Sequence, residues 1–318
     1  MSNITDAGNK IAFVIQHDCQ DPSEALLDKK IIQESYTFWA GMVHEKCYMN
    51  WGISDKKIQK ELMGLNYNFT TISDVQDLYS LSLIYYLIRP LLKKQFYNKR
   101  LLDVGSGNGI GLKVISELLA TDFAVGLDLT SVLATRANKN FYLENKINYI
   151  QADAESIPLE NNSIDIITNV ESSHNYPRID YFFSEIERVL APGGYFCYTD
   201  IDIPNKSQSK FLEQYLKKHP NLKLVEKQNI SKMVQAAIYD RLINKEEWFY
   251  QAAVRLYGEQ SHDFFSNVSH LAGGMGLIFL PWWKIRFKKP ELKEIARAAR
   301  KSKFWGKKLY FYYLIQKV

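Results

Sequence analysis

Leu101-Leu-Asp-Val-Gly-Ser-Gly-Asn-Gly-Ile-Gly111 is a short apolar run that meets an acidic residue and then closely spaced glycines. Apolar Leu112, Ile115, Leu118 and Leu119 follow at the spacing of one helix face. The stretch reads as a buried strand, a tight turn and the start of a helix. Gly105, Gly107 and Gly109 let the backbone turn sharply and approach a ligand that a Cβ would hold away. Such a turn stands at the carboxyl end of a parallel strand, where open α/β sheets bind ligands.

The spacing narrows the ligand. A dinucleotide turn runs Gly-x-Gly-x-x-Gly and sets a pyrophosphate on a helix N-terminus. Here the glycines run Gly-x-Gly-x-Gly, and Asp103 precedes them. A carboxylate at that point repels phosphate and suits an ammonium or sulfonium group. No Gly-Lys-Ser/Thr follows, so the phosphate loop of nucleoside triphosphatases is absent. The turn points to a positively charged nucleoside without phosphate.

The flanking chain repeats the same unit. Strands are expected at 100–104, 123–127, 147–151, 164–170 and 195–199, with helices at 111–120, 131–143 and 180–190 between them. The run 164–170 is mostly apolar and fits a strand buried on both faces. Strands alternating with helices imply a doubly wound, mostly parallel sheet. Upstream, a helix is expected from Ser23 to Tyr48 after an Asp21-Pro22 entry turn. A second starts near Ser73, with Gln76 at capping-box spacing, and bends or ends at Pro90. Residues 1–20 carry no strong pattern. Beyond Asp200 the regularity weakens to a strand at 222–226, a helix at 230–238 and a closing aromatic strand at 309–315.

With 318 residues the chain can bury a large core. A net charge of +5 permits an acidic or membrane-surface partner without demanding one. The 20 Tyr, 17 Phe and 6 Trp fit a core and would also line an apolar acceptor pocket. Cys19, Cys47 and Cys197 show no metal-ligand spacing and form no even set, so no metal and a reduced compartment are expected. The polar residues 1–10 lack the apolar core of a signal peptide, and no run reaches the roughly 20 apolar residues of a membrane span. A cytoplasmic location is the expectation.

Four further signals fall at element ends. Asp128 follows the second expected strand, where an acidic residue reads ribose hydroxyls. Ala152-Asp153-Ala154 follows the third. Asp165 opens the fourth, and Pro192-Gly193-Gly194 precedes the fifth. With these in place the chain resembles the class I S-adenosylmethionine-dependent methyltransferases. The matching residues are Leu-Asp-Val-Gly-Ser-Gly-Asn-Gly (102–109), Gly-Leu-Asp-Leu (126–129), Ala-Asp-Ala (152–154), Ser-Ile-Asp-Ile-Ile (163–167) and Arg-Val-Leu-Ala-Pro-Gly-Gly (188–194). The segment 169–177 resembles that of small-molecule and lipid O-methyltransferases of the phthiotriolone type.

The resemblance implies S-adenosyl-L-methionine as cofactor and a Rossmann-like seven-stranded sheet, with N-terminal helices and a helical insertion before the last strand. It implies a helical lid over 1–95, a cofactor-binding core over 96–202, and an acceptor-binding elaboration with the final strands over 203–318. Gly105, Ser106, Gly107, Asn108 and Gly109 would line the methionine part, with Asp103 near its amino end. Asp128 would hold the ribose and Leu129 pack on the adenine. Asp153 and Ala154 would meet the adenine edge, and Asn169 and Val170 would lie beside the sulfonium.

Methyl transfer to a hydroxyl needs alignment and benefits from a base. His174 is the first candidate base and Glu171 the second; His174 is equally read as positioning the acceptor. His44 is a further candidate, and Tyr36 a candidate pocket residue. The stretch Gly276–Lys289 passes from apolar and aromatic residues into a basic cluster. It reads as core with a solvated end or as a lipid-facing lid, with Gly273-Gly274 a possible hinge. Transfer to a hydroxyl of a small, apolar, lipid- or polyketide-like acceptor is expected, with transfer to carbon or nitrogen of a small molecule, or cofactor binding without turnover, as the alternatives. Nucleic acid is not expected, since the chain lacks both the Asn/Asp-Pro-Pro-Tyr loop and a large basic domain.

Overall fold

A computed structural model of the chain describes residues 4–17, 19–43, 45–65, 67, 77–203, 206–244, 276, 279–281 and 308–318. Four helices come first: α1 (Ile4–Gln16), α2 (Pro22–Met42), α3 (Lys56–Met63) and α4 (Leu78–Lys93). Then follow β1 (Arg100–Val104), α5 (Ile110–Leu118), β2 (Phe123–Asp128), α6 (Ser131–Phe141), β3 (Ile147–Gln151) and β4 (Ile164–Val170). A one-turn helix, Ser173–Asn175, leads to α7 (Ile179–Val189) and β5 (Leu190–Asp202). The described chain ends with α8 (Gln208–Lys218), β6 (Leu222–Asn229), α9 (Ser231–Tyr239) and β7 (Leu309–Lys317).

The seven strands form one sheet in the order β3-β2-β1-β4-β5-β7-β6. The first five pair in parallel, and β7 runs antiparallel to both β5 and β6. The order reverses at β1, so the strand ends there open a crevice for a ligand. Successive strand residues point to opposite faces. Leu101, Ala124, Ile147 and Ile166 pack with α4 and α5. Leu102, Val125, Ile164 and Ile167 pack with α7. Because helices cover both faces, β1 is buried from Leu101 to Val104.

Several motif residues serve the scaffold. Arg100 donates to Asp165 through its backbone N–H, Nε and Nη2, each at 2.9 Å, stitching the start of β1 to that of β4. The Arg100 guanidinium holds the Asp165 carboxyl below its ordinary range. Arg188 donates to the carbonyls of Ile157 and Leu159, each at 2.7 Å, anchoring the loop after β3.

Three differences from the sequence reading have local causes. Helices α1, α3 and α8 were not expected; their stripes are short, and α3 holds only two buried side chains, Ile58 and Leu62. The helix expected from Ser73 begins at Leu78, where Asp77 caps it by accepting from Tyr79 and Ser80 N–H at 3.2 Å. Ser73 and Gln76 lie outside the described residues. Ala191–Gly194 is a bulge within β5: Ile164 pairs with Leu190, and Ile166 already pairs with Tyr195.

Candidate active site

The glycine turn leaves β1 beside the end of β2. The N–H groups of Gly105 and Ser106 donate to Leu127 O at 2.7 and 2.9 Å. Gly109 caps α5 in the left-handed region, φ +83°. A Cβ there would stand 2.6 Å from both Ala137 Cβ and the Tyr149 ring. Tyr149 O–H donates to Gly109 O at 2.8 Å, locking the turn to β3.

A cavity open to solvent lies over the strand ends. Its wall includes Gly105, Gly107, Asp128, Leu129, Asp153, Ala154, Val170 and Glu171 from the residues expected to form the site. Tyr36 lines it as well. Asp103, Ser106, Asn108, Gly109, Asn169 and His174 are not lining residues. His44 lies outside the described residues.

The acidic groups sit at successive strand ends. Asp128 is 9% exposed, and its oxygens accept from the N–H groups of Gly107 (2.9 Å) and Thr130 (2.8 Å). Burial raises its pKa against those bonds. Asp103 is buried and accepts from Thr168 Oγ1 at 2.7 Å. Burial pushes it up to about 7, with the Thr168 bond pulling down and the Asp128 charge adding. Asp153 meets a residue that the sequence did not single out: Lys29 of α2 donates to it at 2.6 Å and pairs with buried Glu155 at 2.6 Å. Glu155 in turn holds Arg178 at 3.0 Å. Gln33 reaches Leu129 O at 3.0 Å, so α2 spans the cavity beside the ends of β2 and β3.

Glu171 follows β4 with a left-handed φ of +50°. That turn, costing on the order of 1 kcal/mol for a non-glycine residue, carries its carboxylate to two distant segments. Trp51 N–H donates to both oxygens at 2.9 and 2.8 Å, and Tyr310 O–H to Oε1 at 2.6 Å. Desolvation pushes the carboxyl up to about 7 despite these bonds. His174 stands behind the wall. Its Nδ1 lies 2.7 Å from Asp200 Oδ1, and its Nε2 lies 3.1 Å from Asn175 Nδ2. Asp200, at the end of β5, was legible by the same strand-end rule that marks Asp128. Lys29, Trp51 and Met49, the last also in the cavity wall, carried no such signal.

The residues fit a cationic nucleoside. The buried Asp103 carboxylate has a hydroxyl, not a cation, for its partner. The buried oxygens Asn108 Oδ1 and Asn169 Oδ1 accept no hydrogen bond among the described residues. Three acceptors without a charged donor thus stand around the glycine turn, behind the cavity wall.

Residues 102–198 match a family described as the methyltransferase domain. This segment is similar to that family. It is 40% identical over 103 residues to the probable phthiotriol/phenolphthiotriol dimycocerosates methyltransferase 2 of Mycobacterium ulcerans, covering 32% of this chain and 40% of that one. A fatty-acid O-methyltransferase of Mycolicibacterium smegmatis is 40% identical over 110 residues, 33% of this chain and 40% of the relative. The chain thus spans about two fifths of the length of these relatives.

The likeness of fold extends beyond residues 102–198. The geranyl diphosphate C-methyltransferase of Streptomyces coelicolor A3(2), solved with S-adenosyl-L-homocysteine, superposes with a TM-score of 0.57 at 13% identity, covering 92% of this chain and 98% of that one. The cyclase SpnF gives 0.58 at 15% identity over 91% and 96%. These identities speak to fold alone, and the second name shows that the fold does not dictate the chemistry. Among the described residues no helix is long and apolar enough to cross a membrane. His17, Cys19 and Asp28 bring three metal-type ligand atoms within 4.8 Å, which their spacing in sequence did not show. His17 Nδ1 and Asp28 Oδ2, 2.8 Å apart, join the end of α1 to α2, and none of the three residues lines the cavity.

Proposed function

We propose that the chain is an S-adenosylmethionine-dependent methyltransferase that acts on a hydroxyl of a small apolar, lipid- or polyketide-like acceptor. The observation that carries this reading is the row of acidic residues Asp103, Asp128 and Asp153 at successive strand ends around the glycine turn of a methyltransferase domain. When bound, the cofactor supplies an electrophilic methyl group on a sulfonium leaving group.

The protein holds and aligns. Asp128 takes the ribose hydroxyls while its backbone bonds keep the carboxylate in place. Asp153 and Ala154 meet the adenine edge once Lys29 yields a lone pair of Asp153, and Leu129 packs on the base. Gly105 and Gly107 would line the methionine part with Asp103 behind the turn near its ammonium end, and Val170 would lie beside the methyl-bearing end. The acceptor enters between Ile32, Met49 and Pro177 of the cavity wall. Glu171 takes the hydroxyl proton: it lines the cavity, and its raised pKa matches the task near neutrality. Residues 1–95 act as the lid, and residues 203–318 add acceptor contacts.

The names of the two relatives, one a dimycocerosate and one a fatty-acid methyltransferase, support a lipid-like acceptor. The aromatic and basic run 276–289 adds nothing to that support, since the two large apolar side chains described in it fit its reading as core. Of this run only 276 and 279–281 are among the described residues, and there Phe279 and Leu280 are buried.

Calorimetry with S-adenosylmethionine tests the cofactor assignment. Asp128→Ala is expected to weaken binding about a hundredfold through two lost charged hydrogen bonds, and unchanged affinity would refute the assignment. Incubation with methyl-labelled cofactor and fractionated lipid extract identifies the acceptor; label on nitrogen or carbon in place of oxygen would overturn the hydroxyl.

A further inference from the structure

Asn175 is 6% exposed and lines the cavity. Its Nδ2 donates to two atoms, His174 Nε2 at 3.1 Å and Tyr36 Oη at 3.0 Å. Its Oδ1 is buried and has no hydrogen-bond partner among the described residues. A buried amide oxygen without a donor costs about 1–3 kcal/mol, so a ligand that fills the vacancy gains from it.

The direction of this amide follows from the residues behind it. Asp200 is 3% exposed, and its Oδ2 accepts from Ser173 Oγ at 2.6 Å and His174 N–H at 3.0 Å. Its Oδ1 accepts from Ile201 N–H at 2.7 Å and faces His174 Nδ1 at 2.7 Å. A carboxylate can only accept, so His174 Nδ1 carries the proton. In the neutral ring Nε2 is then an acceptor, and it needs a donor. Asn175 must turn its NH₂ toward the ring and its oxygen away from it. Tyr36 Oη accepts from the same NH₂, which leaves the Tyr36 proton to point elsewhere; among the described residues it has no acceptor.

Two residues of the cavity wall thus hold one buried acceptor without a donor, Asn175 Oδ1, and one donor without an acceptor, the Tyr36 O–H. The complement is a head group that both donates and accepts, such as a hydroxyl or an un-ionised carboxyl. A carboxylate would set lone pairs against Asn175 Oδ1. An ammonium would leave the Tyr36 proton unpaired. An ether could satisfy only Tyr36.

We propose that Tyr36 and Asn175 form a subsite for a neutral hydroxyl-type head group of the acceptor. Within it, His174 and Asp200 are positioning residues that set the Asn175 amide and take no proton from the substrate. The subsite deepens the proposed function and rests on it for the location of the cofactor.

The test uses the full chain loaded with S-adenosylhomocysteine and titrated by calorimetry with 1-octanol, methyl octyl ether and octylammonium. The wild type is expected to bind octanol about tenfold more tightly than either competitor. Tyr36→Phe and Asn175→Leu should each reduce that preference severalfold; the first keeps the ring, so it guards against a folding defect in the second. His174→Gln, whose amide oxygen can accept from Asn175, should retain the preference, and His174→Leu should lose it. Equal binding of alcohol and ether by the wild type overturns the subsite. So does a preference that survives both Tyr36→Phe and Asn175→Leu. Equal loss in His174→Gln and His174→Leu overturns the positioning role. Octanol preference without any affinity for S-adenosylhomocysteine would instead remove the cofactor reading and leave the subsite standing.

Discussion

At the level of single residues, two side chains of the 169–177 segment divide the work that the sequence left shared between them. Glu171 reaches the cavity and carries a carboxyl near neutrality, whereas His174 is committed on both ring nitrogens. Glu171→Gln should lower kcat by about 10²–10³-fold with little change in cofactor affinity. In the wild type, kcat/KM should fall as pH drops below about 7, because protonation removes the base; a flat profile between pH 6 and 8 would argue against this assignment. Gly109→Ala tests the turn itself. The new methyl would meet Ala137 and Tyr149 at 2.6 Å with φ at +83°. Destabilisation of at least about 2 kcal/mol is expected, read by urea unfolding.

Among elements, α2 brings Lys29, Ile32 and Tyr36 to the cavity wall. Asp21 caps the helix, accepting from Ser23 N–H at 2.7 Å with Pro22 at the first position. This sets the phase that brings Lys29, Ile32, Gln33 and Tyr36, at i, i+3, i+4 and i+7, to one side. Lys29 ties that face to Asp153 and Glu155 at 2.6 Å each. Lys29→Met should cost about 2 kcal/mol, the scale of hydrogen bonds to charged groups. Faster amide hydrogen exchange in α2 than in β1 should accompany it. Exchange that quickens equally in both elements would mean a global loss and no separate lid. The helix was visible in sequence from its Asp-Pro entry and apolar spacing, but its length was overestimated by the run to Tyr48. The short helices α1, α3 and α8 escaped notice because a narrow stripe over two turns does not stand out from loop composition.

For the molecule as a whole, stability and binding are both linked to protons. Asp103 and Glu171 hold carboxyls near 7 when folded, against ordinary values of 3.8 and 4.5. Between those values the folded state keeps protons that the unfolded chain releases. Stability should therefore fall as pH rises from about 4.5 to 7.5. Below that window the trend reverses, since Asp165 and Glu185 have lowered values and lose their Arg100 and Arg188 partners' support on protonation. The midpoint temperature of thermal unfolding is expected to be highest near pH 4.5. An ammonium beside Asp103 favours its ionised form, so cofactor binding near pH 6.5 should release a fraction of a proton. Calorimetry in two buffers of different ionisation enthalpy reads this directly; no difference between buffers would place the ammonium away from Asp103.

The run from Leu101 to Gly111 determined the glycine turn by itself, and Asp128 and Asp153 at the ends of the next two strands followed from the alternation of apolar runs with helices. These signals are local: strand period, helix period and backbone freedom are properties of neighbouring residues. What faces the ligand was decided only by the tertiary structure. Glu171 owes its place to Trp51 and Tyr310, 120 and 139 residues away. Asp153 owes its cation to Lys29, 124 residues away. His174 sits behind the wall because Asp200, on a neighbouring part of the fold, claims its ring. A residue's spacing records the element that carries it, whereas its partner across the sheet is set by strand order and helix packing.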